Sequence, residues 1–263
     1  MDRWLLNTLP LWAMVLLYIG GAMLLGLGGF HLMRRYVPSL ARNADARSLS
    51  SAFSISSGLF SFVLAFTIGQ LYTNFVHATA DAKAEANQVA QVLRSAQGLP
   101  APLGPTIRME TLAYAAEVRT HEWDQMRHGG SSVAAWQDID QIYRTLQKQK
   151  AESISRSDPF YSETVSHLND LVLARRARLD DVNLSLPPLF QALLMIGAVL
   201  AISTTFYFKP FGEPIQLVMI GAASALVGIA LLVATQLDFP YSGTIAVSSA
   251  PFTTATLVLL SGP

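Results

Sequence analysis

The sequence contains no cysteine and few charged residues, and each shortage excludes classes of protein. Without cysteine, the chain has no disulfide, no thiolate metal site and no cysteine nucleophile. Charged side chains make up only 14% of the 263 residues, against about 25% in ordinary soluble domains. The 18 basic residues balance the 18 acidic ones, so no net charge is available to attract a nucleic acid.

The few charges are concentrated in one part of the chain. Residues 76–187 hold 26 of the 36 charged side chains, and the other 151 residues hold ten. This distribution separates a water-facing block from segments that avoid water. No constellation of residues resembles a catalytic nucleophile, a metal site or a phosphate loop, so we do not expect an enzyme or a cofactor.

Four apolar runs are long enough to cross a bilayer, which takes about 20 predominantly apolar residues. They cover residues 11–33, 52–75, 188–208 and 214–236. Arg34 and Arg35 follow the first run where a signal peptide would carry a cleavage site, so this run is expected to stay as an anchor. The sequence therefore predicts a multi-pass membrane protein embedded in a lipid bilayer.

The expected fold is all-α, with four transmembrane helices and a helical extramembrane bundle between the second and third. We place the first transmembrane pair at 1–75, the helical domain at 76–187, and a second hairpin with a short tail at 188–263. Within the domain, GLPAPLGP at 98–105 breaks a helix that continues from the second span. Further helices are predicted at 106–128, 131–150 and 161–182.

The orientation in the membrane has two conflicting signals. The short loop 34–51 carries Arg34, Arg35, Arg42 and Arg47 against Asp45, which is typical of a cytoplasmic loop. Three arginines just before the third span argue for the opposite arrangement. Both orientations stay open at this stage.

The second apolar run is unusually polar, with ten serines and threonines between residues 48 and 80. Wound at 100° per residue, residues 53–77 present three faces. One is small, as in closely packed membrane helices, and consists of Ser54, Ser57, Gly58, Ser61, Ala65 and Gly69. A second is expected to face lipid and consists of Phe53, Phe60, Leu64, Thr67 and Leu71.

The third face is aromatic in its middle and polar towards its end, and consists of Leu59, Phe62, Phe66, Gln70, Thr73 and His77. Phe62, Phe66 and Gln70 are four residues apart, so each stands one turn above the last. Copies of this helix around an axis would form rings of phenylalanine leading to rings of amide and hydroxyl. A hydrophobic constriction of this kind can gate by dewetting. The same spacing also fits ordinary core packing of two aromatic residues.

Charged and polar residues near the ends of the spans form a predicted junction between the domain and the membrane: Asp81, Glu85, Asn87, Arg175, Arg176, Arg178 and Asp238. Asp81 and Glu85, one turn apart, could hold a cation at a pore mouth or pair with the arginines, and we favour the ion pairs. The segment HEWDQMRH does not predict a metal site, because His121 and His128 are seven residues apart. Trp123 and Met126 are instead expected to pack the bundle. We expect Tyr241 to anchor at the membrane interface.

Six segments together carry a family resemblance: RRYVPSL, GLFSFVLAFTIGQLYTNF, EANQVAQVLRSAQGLP, EWDQM, LARRARL and LDFPYSGTIAVSSAPF. On these segments the chain resembles the bestrophin-like family of bacterial and plant membrane proteins. The resemblance covers nearly the whole chain. It implies similarity to bestrophins, which are pentameric anion channels whose second transmembrane helix lines the pore.

The bestrophin neck consists of hydrophobic side chains spaced four apart, and Phe62 and Phe66 match it in type and spacing. The resemblance implies that these two residues form a constriction and that Gln70, Thr73 and His77 form a polar vestibule. The expected function is therefore passive permeation of ions, with anions favoured, through a homo-oligomer, with a pentamer favoured. No acidic cluster resembles the bestrophin calcium clasp. The alternative is a membrane sensor or scaffold whose helical domain binds a ligand or a partner protein.

Overall fold

The computed structural model describes residues 3–36, 46–152, 159–207 and 212–253. Within these ranges the chain is helical apart from turns and short irregular segments and contains no strand, which confirms the all-α prediction. The helices are α1 (Arg3–Thr8), α2 (Leu11–Tyr36), α3 (Ala46–Ala96), α4 (Leu103–Glu117), α5 (Trp123–Arg127), α6 (Val133–Glu152), α7 (Pro159–Val182), α8 (Pro188–Thr204) and α9 (Glu213–Asp238).

Two of the predicted features fall partly outside the described residues. Arg42 and Asp45 of the arginine-rich loop lie outside them. For Arg47 and Ser54 only the backbone is described.

The chain divides into two compact units. The first, which we call the apolar unit, comprises residues 1–73 and 185–238. The second, which we call the bundle unit, comprises residues 74–184 together with the described residues from 239 onward. The sequence had placed the domain boundaries at 75 and 187. The tail differs from the prediction, because it packs in the bundle unit although we had grouped it with the second hairpin.

Among the described residues, three helical segments are long and apolar enough to cross a membrane: Leu11–Tyr36, Ile55–Ala96 and Glu213–Asp238. They identify the chain as an integral membrane protein. The segment predicted as a span at 188–208 is helical, but α8 ends at Thr204 after 17 residues and continues as the 3₁₀ turn Thr205–Tyr207. It is therefore shorter than the about 20 residues of an ordinary span.

The core of the apolar unit corrects one of our predicted helix faces. Leu64 of α3 is buried with Leu194 of α8 and Leu231 of α9, and Phe60 packs against them. We had expected Phe60 and Leu64 to face lipid. The reason for the difference is Gly197 on α8, where an added Cβ would lie 2.6 Å from the Phe60 ring, so the glycine leaves a slot that the ring fills.

Helices α2 and α9 approach closely because a glycine stands where they cross. A Cβ added at Gly228 would lie 2.6 Å from the Tyr18 carbonyl oxygen and 2.9 Å from Ile19 Cα. Tyr18 and Ile19 belong to the π-helical turn Leu16–Gly20 within α2. Small residues allow the backbones of two membrane helices to approach closely. The crossing of α2 and α9 depends on such a residue, Gly228.

The bundle unit has one continuous hydrophobic core. It is formed by the second half of α3, by α4 to α7 and by the tail, and includes Trp123 and Met126 as predicted. The break after α3 also agrees with the prediction, although α4 begins at Leu103, three residues before the predicted helix. Gly104 makes this turn possible, since a Cβ there would lie 2.5 Å from the Ala96 carbonyl oxygen.

Replacing Gly228 by alanine should destabilise the apolar unit. The new methyl group meets backbone atoms, which cannot move aside as a side-chain tip can, and overpacking of this kind costs about 1–3 kcal/mol. Thermal unfolding of the purified protein in detergent measures the effect. Gly221→Ala is the matched control on α9, because its Cβ would meet only Met23 Cε at 3.7 Å. Equal unfolding temperatures for the two variants would contradict the crossing described here.

Candidate functional site

The first candidate site is the surface of α3 opposite its buried side. Leu64 and Leu71 are buried, whereas Phe62 and Phe66 are 71% and 68% exposed. At 100° per residue, both phenylalanines point about 160° away from the direction of Leu64. The described part of one chain therefore leaves two large aromatic side chains on an open surface.

The polar residues predicted to continue this surface are exposed as well. Gln70, Thr73 and His77 lie on the same side of α3 as the two phenylalanines. The Thr73 hydroxyl donates to the Gly69 carbonyl oxygen at 3.0 Å, so its hydrogen is bound within the helix. We call the residues Phe62, Phe66, Gln70, Thr73 and His77 the aromatic–polar face.

The small residues of α3 divide into two groups. Ser57 packs within the chain, where its hydroxyl lies 2.8 Å from the Thr204 hydroxyl of α8. Four others are exposed, flank the aromatic–polar face and leave open surface: Gly58, Ser61, Ala65 and Gly69. Within the predicted small face, Ser57 thus packs against a helix of the same protomer, and these four residues remain available to another surface.

The second candidate site is a set of four charged residues buried in the bundle unit, which we call the ion cluster. It consists of Glu85 on α3, Glu122 at the end of the π-helical turn Val118–Glu122, and Arg175 and Arg178 on α7. All four side chains are fully buried. Two positive and two negative charges make the cluster neutral as a whole.

The hydrogen bonds of the ion cluster link its members in a chain. Arg175 donates to both oxygens of Glu122, at 2.6 and 2.7 Å. Arg178 donates to Glu122 at 2.6 Å and to both oxygens of Glu85. The Tyr114 hydroxyl donates to Glu85, and the Ser132 amide donates to Glu122 at 3.0 Å.

Aromatic rings enclose the guanidinium groups. Arg175 lies 4.6 Å from the centre of the Trp136 ring, and Arg178 lies 5.2 Å from that of Trp123. A cation over an aromatic ring is attracted by the ring quadrupole, most strongly when water is excluded. The rings thus shield the cluster from solvent while still stabilising its positive charges.

The pKa values of the cluster favour its charged form. Burial alone would raise the pKa of Glu122, but Arg178 and Arg175 outweigh burial and lower it. Burial likewise opposes the charge on Arg178, but Glu85 and Glu122 raise its pKa. Burial and the negative charge of Glu85 raise the pKa of Tyr114, which stays neutral and donates its proton. The arrangement is a structural ion network.

Comparison with known proteins places these features in a family. The family model of the bestrophin-like domain matches residues 20–252. The chain belongs to the bestrophin-like family. No curated protein matches the chain significantly by sequence.

Solved structures share the bestrophin-like fold at low sequence identity. The crystal structure of a bacterial bestrophin homologue from Klebsiella pneumoniae has a TM-score of 0.70 at 16% identity, covering 93% of this chain and 97% of that one. A single-substitution variant of a Klebsiella pneumoniae homologue has a TM-score of 0.70 at 16% sequence identity, and the match covers 95% of this chain and 99% of that one. A variant of a protein described only as a membrane protein has a TM-score of 0.71 at 16% sequence identity, and the match again covers 95% of this chain and 99% of that one. At these identities the likeness shows the fold alone.

The predicted junction residues of this bestrophin-like chain separate in the structure. Glu85, Arg175 and Arg178 meet in the ion cluster, whereas Asn87 and Arg176 are exposed and lie outside it. Asp238 belongs to the apolar unit. There it accepts hydrogen bonds from the Leu186 amide at 2.7 Å and the Gln191 side chain at 3.0 Å, next to the start of α8.

Sequence reasoning missed Glu122 and Tyr114 as members of the ion cluster. A signal for Glu122 was present in the spacing of Arg175 and Arg178, which share one face of α7 and need two carboxylates when buried. The motif EWDQM, which begins at Glu122, supplies the second one. Tyr114 had no such signal, because a tyrosine in a bundle is more often only a packing residue.

The tail of the chain also differs from expectation. Tyr241 is buried, and its hydroxyl donates to the Ala78 carbonyl oxygen at 3.1 Å, so it is not an interface anchor. The Trp123 indole donates to the Val247 carbonyl oxygen at 3.0 Å. These bonds fix the tail against α3 and α5 inside the bundle unit.

Replacing Glu122 by glutamine should strongly destabilise the bundle unit. The variant keeps the shape but leaves two buried arginines with one carboxylate, and breaking a buried pair costs about 3–5 kcal/mol. Denaturant unfolding of the purified protein measures the loss.

The matched control is Asp124→Asn at the exposed neighbouring position, which should change stability little.

The lowered pKa of Glu122 adds a pH test. Its contribution to stability is present above the usual glutamate value of 4.5 and is lost as the pH falls below it. This acid-induced loss should be smaller in Glu122→Gln than in the unaltered protein. A variant as stable as the control would show that the cluster does not hold the unit together.

Proposed function

We propose that the protein is an oligomeric ion channel in which the α3 helices of several copies surround a permeation path. The observation that carries the proposal is the aromatic–polar face, which one chain leaves exposed although it includes two phenylalanines. Such a face in a membrane helix meets either lipid or another copy of the protein.

The polar end of this face favours a shared axis over lipid. Gln70, Thr73 and His77 continue the surface of the two phenylalanines, and polar or ionisable groups are costly against acyl chains. They are favourable where the helix lines water. The exposed small residues beside the face support the same arrangement, because Gly58, Ser61, Ala65 and Gly69 would let a neighbouring copy of α3 approach closely.

The mechanism follows from the order of the side chains along α3. Rings of Phe62 and Phe66 form the constriction, which resists wetting and so controls passage. The positive edges of aromatic rings favour anions over cations. Beyond the constriction, the side chains of Gln70 and His77 offer hydrogen bonds to an ion that is regaining its water, and the Thr73 hydroxyl oxygen adds a polar surface.

The remaining features of the proposal come from the family resemblance. They are a pentamer, a preference for anions and four spans, the third formed by α8 with the turn Thr205–Tyr207. The bacterial inner membrane is the proposed location. The Klebsiella pneumoniae structures support this proposal through their shared fold.

Replacing either phenylalanine by alanine should raise ion flux severalfold, because the smaller side chain widens and wets the constriction. Flux is measured in liposomes that contain purified Phe62→Ala or Phe66→Ala protein. Leu24→Ala is the matched control, since Leu24 is also a large exposed apolar side chain but lies on α2, away from the aromatic–polar face. If neither the unaltered protein nor the two variants conduct above empty liposomes, the channel proposal is wrong.

A single cysteine on the aromatic–polar face should cross-link between copies. The natural chain has no cysteine, so Phe66→Cys introduces the only thiol, and a short bifunctional maleimide should join copies around a common axis. Gel electrophoresis under denaturing conditions detects the covalent dimers. Leu24→Cys, at an exposed position on α2, should cross-link much less. Equal yields at both positions would argue against an axis lined by this face.

The alternative function, a sensor that binds a ligand, has one feature in its favour. The bundle unit contains an open cleft of about 400 Å³ between α5 and the tail. Its lining includes Arg119 and Arg127, the Trp123 ring and the hydroxyl groups of Ser248 and Ser249. A small anion would suit these groups.

A further inference from the structure

Two hydrogen-bonded pairs establish the register between α3 and α7. The hydroxyls of Ser95 on α3 and Thr164 on α7 are 3.0 Å apart. Further towards the start of α3, Glu85 pairs with Arg178, which lies further towards the end of α7. The two helices therefore run antiparallel, and a step towards the start of α3 corresponds to a step towards the end of α7.

One helical turn beyond the Glu85–Arg178 pair, the same register brings two carboxyl groups close to each other. Asp81 precedes Glu85 by one turn of α3, and Asp181 follows Arg178 by nearly one turn of α7. The register therefore places Asp81 and Asp181 opposite each other on the two helices, and the negative charge of Asp81 acts on the Asp181 carboxyl. Oδ2 of Asp181 is buried without a hydrogen-bond partner. Two ionised carboxylates so placed repel each other, whereas a single shared proton turns the contact into a hydrogen bond.

Among the described residues, no arginine, lysine or histidine forms a salt bridge with either carboxyl group of the pair. Arg178 is already bonded to Glu85 and Glu122 in the ion cluster. The Tyr241 hydroxyl donates to the Ala78 carbonyl oxygen. Asp180 on α7 adds a further negative charge, and His77, one turn before Asp81, is exposed on the aromatic–polar face.

We propose that Asp81 and Asp181 form a proton-sharing latch that holds the end of α7 against α3 and loosens when the shared proton is lost. Burial, reinforced by the neighbouring charges of Asp81 and Asp180, raises the pKa of Asp181 from 3.8 to about 7. The folded protein therefore binds this proton more tightly than the unfolded chain does. The latch stabilises the fold fully at acidic pH, and this contribution is lost as the pH rises towards about 7 and above.

The test compares thermal unfolding of the full-length protein in detergent from about pH 5 to about pH 8, the interval around the raised pKa. The unfolding temperature of the unaltered protein should fall as the pH rises. Asp181→Asn and Asp81→Asn should lose most of this fall, because one member of the pair no longer ionises. Asp180→Asn is the matched control and should keep most of it, since it removes a neighbouring charge, the smallest of the causes that raise the pKa of Asp181, but leaves the shared proton in place.

An infrared measurement on the unaltered protein does not depend on how well the variants fold. A protonated carboxyl absorption should be present at acidic pH and disappear over the same interval, where ordinary aspartates are already ionised. The proposal of a proton-sharing latch is wrong if this absorption is absent, or if Asp181→Asn keeps the full pH dependence of the unfolding temperature.

A consequence for ion flux rests on the proposed channel function. Because α3 carries both Asp81 and the aromatic–polar face, flux through the unaltered protein should change over this pH interval, and the change should be lost in Asp181→Asn. Failure of conduction at every pH would count against the channel and leave the unfolding result intact. Conduction that is equally pH-dependent in both proteins would show that the latch does not control it.

Discussion

The bundle unit depends on burying two guanidinium and two carboxylate groups without leaving any charge unbalanced. An unpaired buried charge costs several kcal/mol. The folded state is therefore stable only when all four side chains of the ion cluster are buried in contact with one another. This requirement fixes the register of α7 against α3 and places the π-helical turn before α5 at the same level. A hydrophobic cluster of equal volume could give similar stability, but it would tolerate a shift of one helix along another, which these directional bonds do not.

Much of the architecture could be predicted from the sequence, because apolar runs and helix breakers are local signals. The long apolar runs, the break after α3 and the packing of Trp123 were recognisable in this way. The pairing of Glu85 with the arginines also followed from the excess of charge near the span ends. Glu122 was missed because its partners lie more than 50 residues along the chain, and no local pattern shows which distant helix will face it.

The faces of α3 show where pattern reasoning fails. Hydrophobicity cannot distinguish a side chain that faces lipid from one that faces another helix, since both surroundings are apolar. Phe60 faces inward only because Gly197, on a different helix, leaves space for its ring. The same limit applies to Tyr241, because a tyrosine just after a span fits a membrane interface and a buried core equally well. Its bond to the Ala78 carbonyl oxygen depends on the fold of the tail.

Helix α3 joins two kinds of chemistry within one element of 51 residues. Its first half presents the aromatic–polar face, and its second half carries Glu85 of the ion cluster and Asp81 of the latch. From Gln70 to Ala96 the sequence contains neither glycine nor proline, the residues at which sharp helix kinks are most often found. Gly69 lies just before this stretch, between Phe66 and Asp81, and is the position in this part of α3 where the sequence would permit a bend. In the proposed channel, loosening of the latch would reach the constriction along α3, and replacing Gly69 by alanine would strengthen this coupling if the helix bends there.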